Sequence, residues 1–183
     1  MFNNPQRTTA LTAAMLLTTA ILMSAAAPAW AGGNDKNDAS TCWIQADTGV
    51  TQCFADEQAM DAAIIEQIGA LPIEQGSLQA RSSFASIALV QYTIARLYED
   101  ASYGGDFLFV SATSTTFCAD GGVVSTTPMQ SGWNDRVSSV RSYWGCQTTL
   151  YTNAGFGGTA VTYSSAGSLG TMNDKASSYR VKD

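Results

Sequence analysis

The chain has 183 residues, a formal net charge of −6 and no histidine. The absence of histidine excludes Ser-His-Asp and Cys-His catalysis as well as the usual histidine-containing zinc sites. The nine basic residues form no basic run, which disfavours nucleic acid and anionic membranes as partners.

The first 31 residues have the pattern of a secretory signal peptide. MFNNPQR is positively charged, ALTAAMLLTTAILMSAAA is apolar, and the small residues Ala29 and Ala31 flank Trp30 at a cleavage site. A membrane anchor is the alternative, but threonines interrupt the run and no later segment is long and apolar enough to span a bilayer. We therefore expect a secreted, extracellular chain that starts near Gly32 and has a flexible N-terminus over residues 32–41.

Residues 42–85 are predicted to form a hairpin, a helix and a connector. CWIQADTGVTQC, residues 42–53, contains two β-prone runs on either side of a DTG turn, as in a hairpin. A helix is expected to follow from the cap Asp56 to the stop signal Gly69. One face of this helix is apolar, and we expect it to pack against the rest of the protein; if the segment moved freely, that face would instead be a partner site. Its residues are Met60, Ile64 and Ile68.

Four cysteines follow the predicted cleavage site, and an even number in an exported protein predicts disulfides. Three pairings are possible. Cys42 with Cys53 and Cys118 with Cys146 are favoured because each pair lies within one apparent structural segment. With no histidine and no free thiol expected, a bound metal would have to be held by oxygen.

Residues 86–183 contain an internal repeat. Short β-prone runs separated by Gly, Asn, Asp and Ser predict an all-β domain. Within it, LYEDASYGGDFLFV (97–110) aligns with LYTNAGFGGTAVTY (150–163), sharing an aromatic, four residues, a second aromatic and two glycines. This pattern is typical of a folded hairpin in which a glycine takes a positive φ and an aromatic ring lies against the turn.

A second signature follows each hairpin. WNDRVSSV (133–140) and MNDKASSY (172–179) share Asn-Asp-x-x-Ser-Ser, which concentrates the oxygen ligands that Ca²⁺ prefers. Alternatively, these side chains could simply close turns by bonding to the backbone. Two copies behind the same hairpin favour a cation site, with further ligands available if each loop faces the hairpin of the other copy. The first copy also carries about fourteen extra residues, within FCADGGVVSTTPMQ.

The two halves resemble the Greek key motifs of microbial βγ-crystallins, with motif one at about 96–143 and motif two at about 149–182. The resemblance implies a mostly β, βγ-crystallin-like Greek key β-sandwich preceded by a small hairpin-helix segment, and a non-enzymatic protein with two Ca²⁺ sites shared between motifs. It implies side-chain ligands at Asn134, Asp135, Ser138, Asn173, Asp174 and Ser177, and main-chain ligands at Glu99, Arg136, Thr152 and Lys175. With one certain carboxylate per motif, we expect dissociation constants on the order of 10⁻⁶ to 10⁻⁴ M.

Other functions remain open at this stage. Secreted proteins of this fold are similar to metalloprotease inhibitors and to antifungal proteins, and residues 111–130 form the candidate inhibitory loop. A cell-wall or glycan binder could stack sugars on Trp43, Trp133 and Trp144, although burial of these tryptophans is the favoured interpretation. An enzyme would need a carboxylate pair, and no acidic pair in the chain has a convincing setting.

Overall fold

The computed structural model describes residues 41–77 and 89–183. The predicted signal peptide and residues 32–40 lie outside the described residues. Thr41 does not belong to a flexible N-terminus as predicted, because it is the buried first residue of a strand. Within the two described ranges, no helix has the length and apolar character needed to cross a membrane.

The described residues form one α-helix and two sheets in which most of the paired strands are antiparallel. The first sheet has the strand order β2-β1-β4-β3-β6-β9, and the second has the order β5-β10-β7-β8. The elements are β1 (Thr41–Gln45), β2 (Thr51–Phe54), α1 (Glu57–Ile68), β3 (Tyr92–Tyr98), β4 (Phe107–Ala112), β5 (Val124–Thr126), β6 (Ser139–Ser142), β7 (Gln147–Asn153), β8 (Gly157–Tyr163), β9 (Ser165–Ala166) and β10 (Ser178–Lys182).

Each copy of the repeat contributes its third strand to the sheet of the other copy. In the first copy, β4, β3 and β6 lie side by side, while β5 crosses over and pairs with β10. In the second copy, β8, β7 and β10 lie side by side, while β9 crosses over and pairs with β6. The two four-stranded units are therefore Greek keys that complete one another, as the resemblance implied.

Two hydrophobic cores stabilise this arrangement. The larger core lies between the sheets and includes Leu97, Leu108 and Leu150. The smaller core lies on the outer face of the first sheet, where α1 covers it. Because side chains alternate along a strand, β4 places Leu108 in the first core and Phe109 in the second, and this explains why all of β4 is buried.

The N-terminal segment is part of the sheet. The predicted hairpin is present, with β1 antiparallel to β2, and β1 also pairs in parallel with β4. The predicted helix is confirmed from its cap Asp56, whose side chain accepts a hydrogen bond from the Ala59 amide, to Gly69 in the left-handed conformation. Its three predicted apolar residues are buried, so the alternative of a free, partner-binding stripe is wrong.

The repeated hairpins have the predicted corner. Gly105 and Gly158 have φ of 73° and 77°, and an aromatic pair closes each corner with ring centroids 5.7 Å and 5.6 Å apart. Only the second glycine of each pair has a positive φ.

Both predicted disulfides, Cys42–Cys53 and Cys118–Cys146, are formed. The second disulfide ties the inserted residues to the junction between the copies.

Candidate cation site between the two loops

The two Asn-Asp-x-x-Ser-Ser segments fold alike. We call residues 133–138 the first loop and residues 172–177 the second loop. Asp135 and Asp174 both have left-handed backbones, with φ of 58° and 53°. In each loop the asparagine amide donates a 2.7 Å hydrogen bond to the carboxylate of the following aspartate. The repeated sequence therefore produces a repeated conformation in which the aspartate is exposed and oriented by its neighbour.

The two loops bind each other. The Asp135 amide donates to the Ala176 carbonyl at 3.0 Å, and the Asp174 amide donates to the Val137 carbonyl at 3.1 Å. A side-chain contact also crosses between the copies, because Ser138 Oγ donates to Asp174 Oδ1 at 2.7 Å. Ser138 is buried, whereas Asp174 is exposed. The fifth-position hydroxyl of one motif thus meets the carboxylate of the other.

The hairpins approach the loops of their own copy. The Ser138 amide donates to the Tyr98 carbonyl and the Ser177 amide donates to the Tyr151 carbonyl, both at 2.9 Å. Each loop therefore contacts the hairpin of its own copy through these amides, and it meets the other loop through the Asp135 and Asp174 amides. Glu99 and Thr152, the predicted carbonyl ligands, are the residues that follow these two tyrosines.

The last serine of each signature hydrogen-bonds to the hairpin of its own copy. This role was not predicted from the sequence. Ser139 Oγ donates to the Asp100 carbonyl at 2.5 Å and accepts from the Tyr103 amide at 3.0 Å. Ser178 Oγ makes the equivalent contacts with the Asn153 carbonyl and the Phe156 amide, at 2.7 Å and 3.2 Å. Both hydroxyls hold the hairpin corner, so their recurrence in the two copies is explained by the fold.

The halves of the site differ in charge. In the first loop, the Arg136 guanidinium forms an ion pair with the Glu99 carboxylate and also donates to the Gly132 carbonyl. Burial raises the pKa of the nearby Asp106, and the negative charge of Glu99 raises it further. In the second copy Thr152 takes the place of Glu99, and its hydroxyl accepts from the Thr159 amide. The side chains at these two positions therefore have partners within their own copies.

The donor set fits a hard cation such as Ca²⁺. The two loops bring hydroxyl, carboxylate and main-chain carbonyl oxygens close together, and Ca²⁺ takes six to eight oxygens at about 2.3–2.6 Å. Two oxygens 2.7 Å apart can be neighbouring ligands of one such ion. Within the described ranges no cluster of three or more acidic or cysteine side chains offers a more highly charged site.

The predicted glycan-binding tryptophans are not available as a group. Trp43 and Trp133 are completely buried, which agrees with the favoured interpretation and leaves neither ring able to stack on a sugar. Trp43 Nε1 donates to Ser111 Oγ inside the fold. Trp144 is half-buried and makes an edge contact with Tyr92, with ring centroids 5.7 Å apart.

The candidate inhibitory loop is shorter than the predicted range 111–130. Ser111 and Ala112 belong to β4, and residues 124–126 form β5. We call residues 113–123 the inserted loop. It is held by backbone hydrogen bonds, including one from the Gly122 amide to the Phe117 carbonyl at 2.8 Å, and by the disulfide at Cys118. The loop is therefore a constrained turn on the surface.

Comparison with known proteins agrees with the predicted resemblance. The model of peptidase inhibitor family I36 matches residues 96–163, which include the inserted loop and the first loop. No curated protein matches the chain.

Solved structures of βγ-crystallin domains are also similar to it. One from Clostridium beijerinckii is 26% identical, with a TM-score of 0.40, over 49% of this chain and 97% of that domain. One from Flavobacterium johnsoniae is 29% identical, with a TM-score of 0.37, over 48% of this chain and 92% of that domain. With its two interlocked Greek keys, the chain is βγ-crystallin-like and similar to peptidase inhibitor family I36.

Proposed function

We propose that this protein is a secreted, non-enzymatic, βγ-crystallin-like protein that binds Ca²⁺ at two sites between its loops and is stabilised by the ion. The observation that carries the proposal is the 2.7 Å contact from Ser138 Oγ to Asp174 Oδ1, because it joins predicted ligands of the two motifs. By their positions in the repeat, Ser177 and Asp135 are the corresponding residues of the other half. Two formed disulfides favour an extracellular location.

Calcium would replace a hydrogen bond with coordination. Ser138 Oγ donates a hydrogen bond to the Asp174 carboxylate. A hydroxyl that rotates its proton away can offer a lone pair to a cation while the carboxylate does the same. Because only the folded loops hold these oxygens together, binding favours the folded state: at about 100 times the dissociation constant, each site adds roughly 2.7 kcal/mol.

The test is a calcium titration of the purified chain after treatment with a chelator. We expect two binding events by calorimetry and a higher melting temperature in Ca²⁺. Ser138→Ala should weaken one event and reduce the shift, whereas Ser168→Ala, at an exposed serine outside both loops, should change neither. No heat and no change in melting temperature at millimolar Ca²⁺ would refute the proposal and leave the loops as turns.

A second candidate function is inhibition of an extracellular protease. The observation that favours it is the match to peptidase inhibitor family I36, which spans the constrained inserted loop. A rigid loop binds with less loss of conformational entropy than a flexible one, which is why inhibitory loops are often braced.

Inhibition is tested by adding the chain to a secreted metalloprotease such as thermolysin, and separately to the serine protease subtilisin. We expect nanomolar inhibition of at least one enzyme. Intact chain recovered after incubation would show that inhibition is not competition by a cleaved substrate. Full protease activity at micromolar concentrations of the chain would eliminate this function for both enzymes.

A further inference from the structure

The turn of the N-terminal hairpin lies beside the inserted loop. Because β1 and β4 are parallel, the turn that follows β1 and the loop that follows β4 leave the sheet at the same end. Gln45 is in register with Ser111, and the Ala46 amide donates to the Ser111 carbonyl at 2.8 Å. We call residues 46–50 the hairpin turn. It lies outside the part of the chain that matches the inhibitor family.

Asp47 connects the two segments. Its Oδ2 accepts a hydrogen bond from the Thr113 amide at 2.8 Å, and its Oδ1 accepts one from Thr113 Oγ1 at 2.9 Å. One carboxylate of the hairpin turn therefore binds both donors of the first residue of the inserted loop. Hydrogen bonds to a charged acceptor are stronger than neutral ones, and two of them at one residue restrict both position and rotation.

The inserted loop is fixed along the rest of its length. Thr116 Oγ1 donates to Asp120 Oδ2 at 2.6 Å, and the Asp120 amide donates to the Thr116 carbonyl at 2.8 Å. The disulfide at Cys118 holds the middle of the loop to Cys146. Asp47 thus fixes the start of the loop at Thr113, while the disulfide fixes its middle.

Both segments expose an apolar side chain. Val50 in the hairpin turn is 43% exposed and Val123 in the inserted loop is 51% exposed. Small residues and hydroxyls make up most of the remaining exposed positions of the loop. A surface with a few exposed apolar groups on a constrained backbone is suited to binding another protein.

We propose that the hairpin turn and the inserted loop form one protease-binding surface, in which Asp47 is a positioning residue for the loop and Val50 is a contact residue. This inference rests on the second candidate function above. It assigns part of target binding to the N-terminal segment, which the family match does not include.

The experiment tests the full chain against thermolysin and subtilisin, and it measures inhibition constants of the full chain and three variants for the enzyme that is inhibited. Asp47→Ala removes both hydrogen bonds to Thr113, and Val50→Ser removes an exposed apolar contact without removing a hydrogen bond of the fold. Glu66→Ala is the matched control, because it deletes an exposed acidic side chain on α1. Melting temperature and amide hydrogen exchange at residues 113–116 are measured for each variant.

We expect Asp47→Ala to raise the inhibition constant about tenfold and to speed exchange at the Thr113 amide, with little change in melting temperature. Val50→Ser should raise the inhibition constant without changing exchange, and Glu66→Ala should behave like the wild type.

Wild-type inhibition by both Asp47→Ala and Val50→Ser would overturn this inference while the inhibitor function stands. A rise confined to Asp47→Ala and accompanied by a large fall in melting temperature would overturn it as well, since Asp47 would then be only structural. Absence of inhibition by the wild type would remove both proposals.

Discussion

Some residues of the repeated Asn-Asp-x-x-Ser-Ser signature belong to the candidate cation site, and others stabilise the fold. The aspartates take left-handed backbones, which asparagine and aspartate tolerate better than most non-glycine residues. The first serine of the first copy, Ser138, crosses to the other loop and reaches Asp174. The second serine, Ser139 or Ser178, secures the hairpin of its own copy. One short motif therefore encodes a candidate site and the support on which that site depends.

Ser139→Ala is predicted to destabilise the fold. The side chain is fully buried and serves the Asp100 carbonyl and the Tyr103 amide, so its loss leaves both groups without this partner. We expect the free energy of unfolding to fall by about 1–3 kcal/mol in urea denaturation. Ser168→Ala, at an exposed serine, should stay within about 0.5 kcal/mol of the wild type. Equal effects for the two variants would contradict the structural role assigned to Ser139.

The N-terminal segment acts as a third layer at the scale of elements. Helix α1 covers Trp43, Phe107 and Phe109 on the outer face of the first sheet, and the β1–β2 hairpin extends that sheet along β4. Without the helix these large side chains would form an exposed apolar face, which proteins avoid. The segment is therefore needed for stability as well as for the surface proposed around Asp47.

Two adjacent isoleucines on α1 test this layer. Ile64 is fully buried in the outer core, whereas Ile65 is 50% exposed. We expect Ile64→Ala to lower the free energy of unfolding by about 2–5 kcal/mol through lost apolar contacts and a residual cavity. Ile65→Ala makes the same chemical change in the same helix and should cost about 0.5 kcal/mol or less. Denaturant titration of both variants measures the difference, and a small effect at Ile64 would mean that the helix contributes little to the fold.

Local signals predicted these elements well. Asp56, Gly69 and the apolar stripe defined the helix because caps and periodicity are encoded within a few residues. The pairing of Cys42 with Cys53 was predictable for a similar reason, since the two cysteines lie within one hairpin.

Pairing between strands that are distant in the chain could not be predicted from such local signals. The parallel alignment of β1 with β4 depends on packing between distant segments, and no local pattern encodes it. The ten predicted site residues lie in the two loops and at the adjoining hairpin ends, as expected from the repeat. The sequence did not establish which hairpin each loop contacts, and the Ser138 and Ser177 amides donate to the hairpins of their own copies.

The whole molecule has an unusual pH profile because it lacks histidine. No side chain with an ordinary pKa between 5 and 8 is present, since the four cysteines are in disulfides. On the alkaline side, burial raises the pKa of Tyr98, Tyr163 and Tyr179. Burial, reinforced by the charge of Glu74, raises the pKa of Tyr143 to about 12. Tyrosine ionisation is therefore expected to dominate the loss of stability at high pH.

The free energy of unfolding is predicted to fall as the pH rises above 10. Between pH 10 and about 12, Tyr143 has lost its proton in the unfolded chain but keeps it in the folded one. The unfolded state then binds fewer protons, so stability that is fully present below pH 10 is lost by up to about 1.4 kcal/mol per pH unit for each such tyrosine. Urea denaturation from pH 6 to 12 should show a nearly flat region to pH 9 followed by this fall. Tyr143→Phe removes one ionisable group and should make the alkaline slope shallower, whatever its effect at neutral pH. An unchanged slope would show that another group controls alkaline unfolding, because the slope depends on the difference in bound protons and not on the stability of the variant.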